Sequence, residues 1–160
     1  MSAHGPGAPA GSGGRGLDAG VRIEPLASAT VRGAIEVKNA GWRDTYLPWL
    51  GAAYLDALDA RLERAVAGWS AALADGSLFP TWVAVAGEAV VGVASEHRGS
   101  GIAAALLRAA IGDAPAFLWV LEENPRARGF YAKMGFVADG AVQALPAEWN
   151  GAREVRMVRR

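Results

Sequence analysis

The stretch that most constrains this chain is Arg98-Gly99-Ser100-Gly101-Ile102-Ala103, where an apolar run turns into a helix through two glycines. Val90 to Ala94 leads up to it. Ala104, Ala105, Leu106, Leu107, Ala109, Ala110 and Ile111 follow as strong helix formers, apolar on nearly every side. Two glycines at a strand-to-helix turn let the backbone bend tightly, with no Cβ between its N–H groups and a ligand. The first N–H groups of a helix lack internal partners and sit at the positive end of its dipole. Such a turn suits a phosphate or pyrophosphate. The competing reading is a plain strand–helix connection, and the glycine pair alone leaves the two in balance.

Composition narrows the field. A length of 160 residues suits one domain with a single core. Lys plus Arg equals Asp plus Glu at 16 each, so no global charge draws the chain to nucleic acid or to an anionic membrane. The absence of cysteine removes disulfides, thiolate metal sites and a cysteine nucleophile together. With His4 and His97 as its two histidines, the chain is not expected to bind a metal. No run approaches the roughly 18 apolar residues that span a bilayer, and no apolar core follows the first residues as in a secretory signal. The expectation is a cytoplasmic domain.

Residues 1–20 are mostly Gly, Ala, Pro and Ser without periodicity, and are expected to form a disordered tail ahead of a single domain at 21–160. Val21 and Ile23 alternate with Arg22 and Glu24, which predicts a half-exposed strand. A helix is expected from Ser28 or Thr30 to Ala40, then an aromatic cluster, Trp42, Tyr46 and Trp49, ending near Pro48. Such rings either line a pocket or pack a loop onto the core. Leu55, Leu58, Leu62, Val66, Trp69 and Leu73 mark one face of a second helix over 52–74, with Gly68 as a weak point. Trp82–Ala86 and Ala89–Ala94 flank Gly87-Glu88 as a β-hairpin. Beyond the glycine turn, Ala116–Leu121 is a continuous apolar run, expected to be a strand buried on both faces. A helix over 125–134, a strand at Phe136–Ala138 and a strand at Glu154–Val158 complete an α/β (α+β) reading.

A second pattern stands downstream of the glycine turn: Asn124, two residues, Ala127, two residues, Phe130-Tyr131, three residues, Gly135-Phe136. Arg98 to Ala103 itself reads as arginine, two residues, glycine, one residue, then alanine. In this order and spacing the pair resembles the GNAT superfamily of acyl-CoA-dependent N-acetyltransferases. Glu96-His97, Trp119-Val120-Leu121-Glu122, Trp42-Arg43 with Tyr46, and Tyr54-Leu55 look like it too. The resemblance implies a mixed, mostly antiparallel central sheet flanked by helices, with acetyl-CoA as co-substrate. It implies that Arg98, Gly99, Ser100, Gly101, Ile102 and Ala103 wrap the coenzyme pyrophosphate, and that Asn124, Ala127 and Phe130 belong to the coenzyme side. Tyr131 would be the general acid that protonates the departing thiolate, a task suited to a phenol that stays protonated at neutral pH. Glu122 is the candidate base, the competing reading being a solvated cap. Trp42, Tyr46 and Trp49 would line the pocket of a primary amine, expected to be a small molecule rather than a peptide. A homodimer stays open.

The family's order places one further strand between the hairpin and the pyrophosphate turn. Here Ser95 runs directly into Glu96-His97-Arg98, a shortfall of about 15–20 residues at ordinary strand and loop lengths. Either a segment is absent from the sequence at the Ser95–Glu96 junction, or Val90–Ser95 fills the vacant place; the parallel-crossover rule favours the absence. Two competitors share the same turn. Gly99-Ser100-Gly101 followed by Ala104 also fits a dinucleotide fingerprint with Glu122 as the ribose acid, although the residues after Glu122 are too few for a second nucleotide-binding half. A non-catalytic acyl-CoA-binding domain is the other.

Overall fold

In the computed structural model, which describes residues 20–78, 80–92 and 101–160, the expected alternation forms β1 (Val21–Pro25). It pairs antiparallel with β2 (Trp82–Ala86), from Val21 opposite Ala86 to Pro25 opposite Trp82. Gly87, at a φ of 62°, turns the chain back into β3 (Ala89–Val90), as the hairpin reading requires. The last residues of the expected strand, Val93 and Ala94, lie outside the described residues, as does the tail before Gly20.

The aromatic stretch is where the structure corrects the sequence reading. Instead of a loop after Ala40, α1 runs from Val31 to Ala60 and carries Trp42–Leu50 within it. Trp42 and Tyr46 are spaced one helical turn apart, so the helix aligns them on one side. The break comes at Gly51, whose φ of 73° and ψ of 163° leave the helical region three residues after Pro48. The two limbs then lie against each other. Arg43 donates to Asp56 at 2.9 Å and to Asp59 at 2.8 Å, and the buried Asn39 donates to Asp59 at 3.1 Å. The second helix breaks at Arg61, not at Gly68, and continues as α2 (Leu62–Ala74). Its Leu62, Val66, Trp69 and Leu73 pack on Leu26, Val31, Ile35, Val83 and Val85, which is the expected amphipathic face.

After α3 (Ile102–Ile111), Gly112 at a φ of 51° ends the helix. A second sheet follows in the order β4-β6-β5, from β4 (Ala116–Leu121), β5 (Val137–Ala144) and β6 (Arg153–Arg159), with α4 (Pro125–Lys133) between β4 and β5. β6 is central and antiparallel to both neighbours. β5 extends well past the expected Ala138 because a bulge between Ala138 and Val142 lets the pairing resume. β4 is buried at Val120 and Leu121, whereas Phe117 is 65% exposed, so the both-faces expectation holds only at its C-terminal end.

The antiparallel sheet flanked by helices is therefore present, as two three-stranded halves. α3 links them, packing on β1 and β2 while Leu107 and Ile111 reach the core built on Val120, Phe136, Val155 and Met157. Among the described residues no strand joins β3 to β4; the Ser95–Glu96 junction falls outside them. No helix among the described residues is long and apolar enough to cross a membrane.

Candidate active site

Of the expected glycine turn, Gly101 and the helix that follows it, α3, are described. Gly101 sits at its N-cap in the left-handed region (φ 81°, ψ −6°), and its carbonyl accepts from Ala105 at 3.0 Å. Glycine at this position offers no side-chain cap, so among the described residues the first-turn N–H groups have no capping side chain. Ile102 is buried at 1% exposure and anchors this end, while Ala103 adds a small side chain beside it. Arg98, Gly99 and Ser100 lie outside the described residues. The donor set at Gly101–Ala103 fits a phosphate: a glycine without Cβ, followed by first-turn N–H groups at a positive helix end.

The second motif is placed by β4 and α4. The chain leaves β4 at Leu121, whose carbonyl accepts from the N–H of Asn124 at 3.0 Å. Asn124 caps α4, its Oδ1 accepting from the Ala127 N–H at 2.9 Å, with Pro125 in the first turn where its missing N–H costs nothing. Ala127 packs into the second core beside Tyr131. Replacing Asn124 by Ala removes this cap. The expected loss is about 1 kcal/mol, or roughly 2–4 °C in Tm, readable by thermal melting of the two proteins side by side.

Tyr131 lies edge-on to Phe130 (ring centroids 5.1 Å apart) and to Phe136 (5.9 Å). Burial pushes its phenol above the ordinary 10.0, so it holds its proton through the physiological range. Across from it stands a trio of rings that the sequence only half revealed. Trp42 and Tyr46 of α1 meet at 5.4 Å, and both meet Trp149, at 6.2 and 5.3 Å, all edge-on. Trp149 belongs to a 3-10 turn, Ala147–Trp149, between β5 and β6. The Tyr46 phenol is also raised, first by burial, then by the negative charge that Tyr131 and Glu154 would carry; Tyr46 thus lies within electrostatic reach of both. The signal for Trp149 was present: a single aromatic ring in the connection, framed by Pro146 and Asn150-Gly151.

Trp49 takes a different position from its two predicted companions. Its Nε1 donates to Glu123 Oε2 at 3.3 Å, fastening the elbow of α1 to the β4–α4 turn. Glu122 sits beside it, with its carboxylate 3.3 Å from Arg153 Nε and its carbonyl accepting from Arg128 at 3.1 Å. The site thus brings together the end of β4, the start of α4, Tyr131, the first limb of α1 and the Trp149 turn. Every described strand pairing is antiparallel, whereas the dinucleotide alternative calls for a parallel sheet.

Comparison with known proteins defines the class. The chain is similar in fold to the PaiA N-acetyltransferase of Thermoplasma acidophilum, solved in complex with coenzyme A: TM-score 0.59, 12% identity, covering 88% of this chain and 98% of that one. It is similar also to apo YjaB of Escherichia coli, with a TM-score of 0.60 and 18% identity over 86% of this chain and 96% of that one. No curated protein sequence matches it. The sequence pattern of the acetyltransferase (GNAT) family matches residues 27–136, more than half of the chain. The chain belongs to the acetyltransferase (GNAT) family and is, by class, an N-acetyltransferase.

Proposed function

We propose that this enzyme transfers an acetyl group from acetyl-CoA to a primary amine by direct attack of the amine on the thioester. The observation that carries the reading is the protonated Tyr131 phenol, held between Phe130 and Phe136 near the ring trio of Trp42, Tyr46 and Trp149. The coenzyme pyrophosphate would take the backbone N–H groups at Gly101–Ala103, with Arg98, Gly99 and Ser100 completing the turn. Asn124, Ala127 and Phe130 would border the coenzyme arm. Asn124 Oδ1 is engaged with the helix cap, which leaves its amide N–H groups for that contact.

In the transfer step the amine nitrogen forms a bond to the acetyl carbon, the carbon–sulfur bond breaks, and Tyr131 gives its proton to the leaving thiolate. Glu122, held by Arg153, would take a proton from the attacking amine. The proton gained by the carboxylate and the one lost by the phenol balance, with no covalent enzyme intermediate. Trp42 and Tyr46 would wall the amine pocket, Trp149 would close it, and Trp49 would fix the elbow that carries them. The acceptor is proposed to be a small molecule, and the setting cytoplasmic.

Calorimetric titration of the purified chain tests the coenzyme part. Acetyl-CoA is expected to bind in the micromolar range, and NAD not at all. Binding of NAD in place of acetyl-CoA would overturn the reading. Release of free thiol on addition of amines then follows the transfer itself.

A further inference from the structure

A groove of about 330 Å³ opens between the first limb of α1 and the junction of its second limb with α2. Ile35 and Leu58 give it an apolar floor. Its rim carries Lys38, Arg61 and Arg64, with the buried amide of Asn39 beside them, and no acid lines it. The acids closest in the chain are already engaged. Asp59 accepts from Arg43 at 2.8 Å and from Asn39 at 3.1 Å. Glu63 accepts from Arg32 at 2.7 Å, and Glu36 lies 3.9 Å from the same guanidinium. Among the described residues no side-chain hydrogen bond or ion pair engages the charged groups of Lys38, Arg61 or Arg64; the Lys38 ammonium rests 5.3 Å over the Trp42 ring.

Three cations around one concavity that no acid lines make a positive field, and two of them are guanidinium forks suited to planar anions. The apolar floor asks for something more than a bare ion. The volume stands at the lower end of small-molecule sites, which run from roughly 300 to 1,000 Å³. We propose that this groove binds a small molecule that joins a phosphate or carboxylate to an apolar body. Such an anion has two sources. It is either the far end of the amine acceptor, one helical turn of α1 from the ring trio through Lys38 and Trp42, or a separate anionic ligand.

The test is a calorimetric titration of the full chain with phenyl phosphate in low salt, acetyl-CoA being left out because it carries phosphates of its own. The wild type is expected to bind. The Arg61→Ala/Arg64→Ala variant, and its Gln counterpart of nearly the same side-chain length, are expected to bind at least tenfold more weakly. Raising the ionic strength should weaken the wild type likewise, because exposed charges are screened. Equal affinity in wild type and variants, or no binding to the wild type with its circular dichroism intact, overturns the proposal. A kinetic arm assigns the source. A KM raised in the variant for 6-aminohexanoate but not for 6-aminohexanamide supports the acceptor's own carboxylate; KM unchanged for both, with phenyl phosphate binding lost, supports a separate ligand. If neither amine is acetylated, neither is the acceptor, and the titration alone decides the groove.

Discussion

Replacing Tyr131 by Phe is expected to lower kcat about 10²-fold while changing the acetyl-CoA dissociation constant less than about twofold, since a positioned general acid contributes roughly 10²–10⁴ in rate. The substitution removes one hydroxyl and keeps the ring, so the edge-on contacts with Phe130 and Phe136 survive and the second core is undisturbed. Thiol release under saturating acetyl-CoA and amine reads kcat; calorimetry reads binding. Equal loss of both would mean that the phenol serves coenzyme binding or packing and not proton transfer.

The pH dependence sharpens this test. Burial raises the Tyr131 phenol above 10.0, so the alkaline fall of kcat in the wild type should begin above the ordinary tyrosine range, and in Tyr131→Phe this limb should vanish. The sign for stability agrees. A group whose folded pKa is raised contributes stability that is complete below the unfolded value and is lost as pH rises through the folded one. Both Tyr131 and Tyr46 are raised, so the fold should hold through neutral and mildly alkaline pH and weaken in stronger alkali.

The second large effect is expected at Gly101. Valine there must adopt a φ near 81°, at a cost on the order of 1–2 kcal/mol, and places a branched side chain at the first turn of α3. Acetyl-CoA affinity should fall about 10²-fold, equivalent to roughly 2.7 kcal/mol. Gly101→Asn separates strain from obstruction. Asparagine tolerates the left-handed region, so Tm should stay close to wild type, while its side chain covers the N–H groups and affinity still falls. Normal acetyl-CoA binding by Gly101→Asn would place the pyrophosphate elsewhere.

Much of this protein was legible in the sequence because the relevant forces are local. Alternation at Val21–Glu24 forms a strand wherever one face is covered. The Leu62, Val66, Trp69 and Leu73 stripe buries whatever sheet it meets. Gly101 and Gly112 bound α3 because residues with a Cβ resist a positive φ, and Asn124-Pro125 starts α4 by capping it. The paired motifs that identify the family are runs of this kind. Tertiary structure decided what depends on distant partners. Trp42–Leu50 is helical because the two limbs of α1 clasp through Arg43, Asn39, Asp56 and Asp59, an arrangement that no nearest-neighbour pattern encodes. Trp149 joins Trp42 and Tyr46 across more than half the chain, Glu122 meets Arg153, and Lys38 comes to share a groove with Arg61 and Arg64. Contacts of that range follow from how the sheets and helices stack, and stacking is settled by the shape of the whole core rather than by any segment within it.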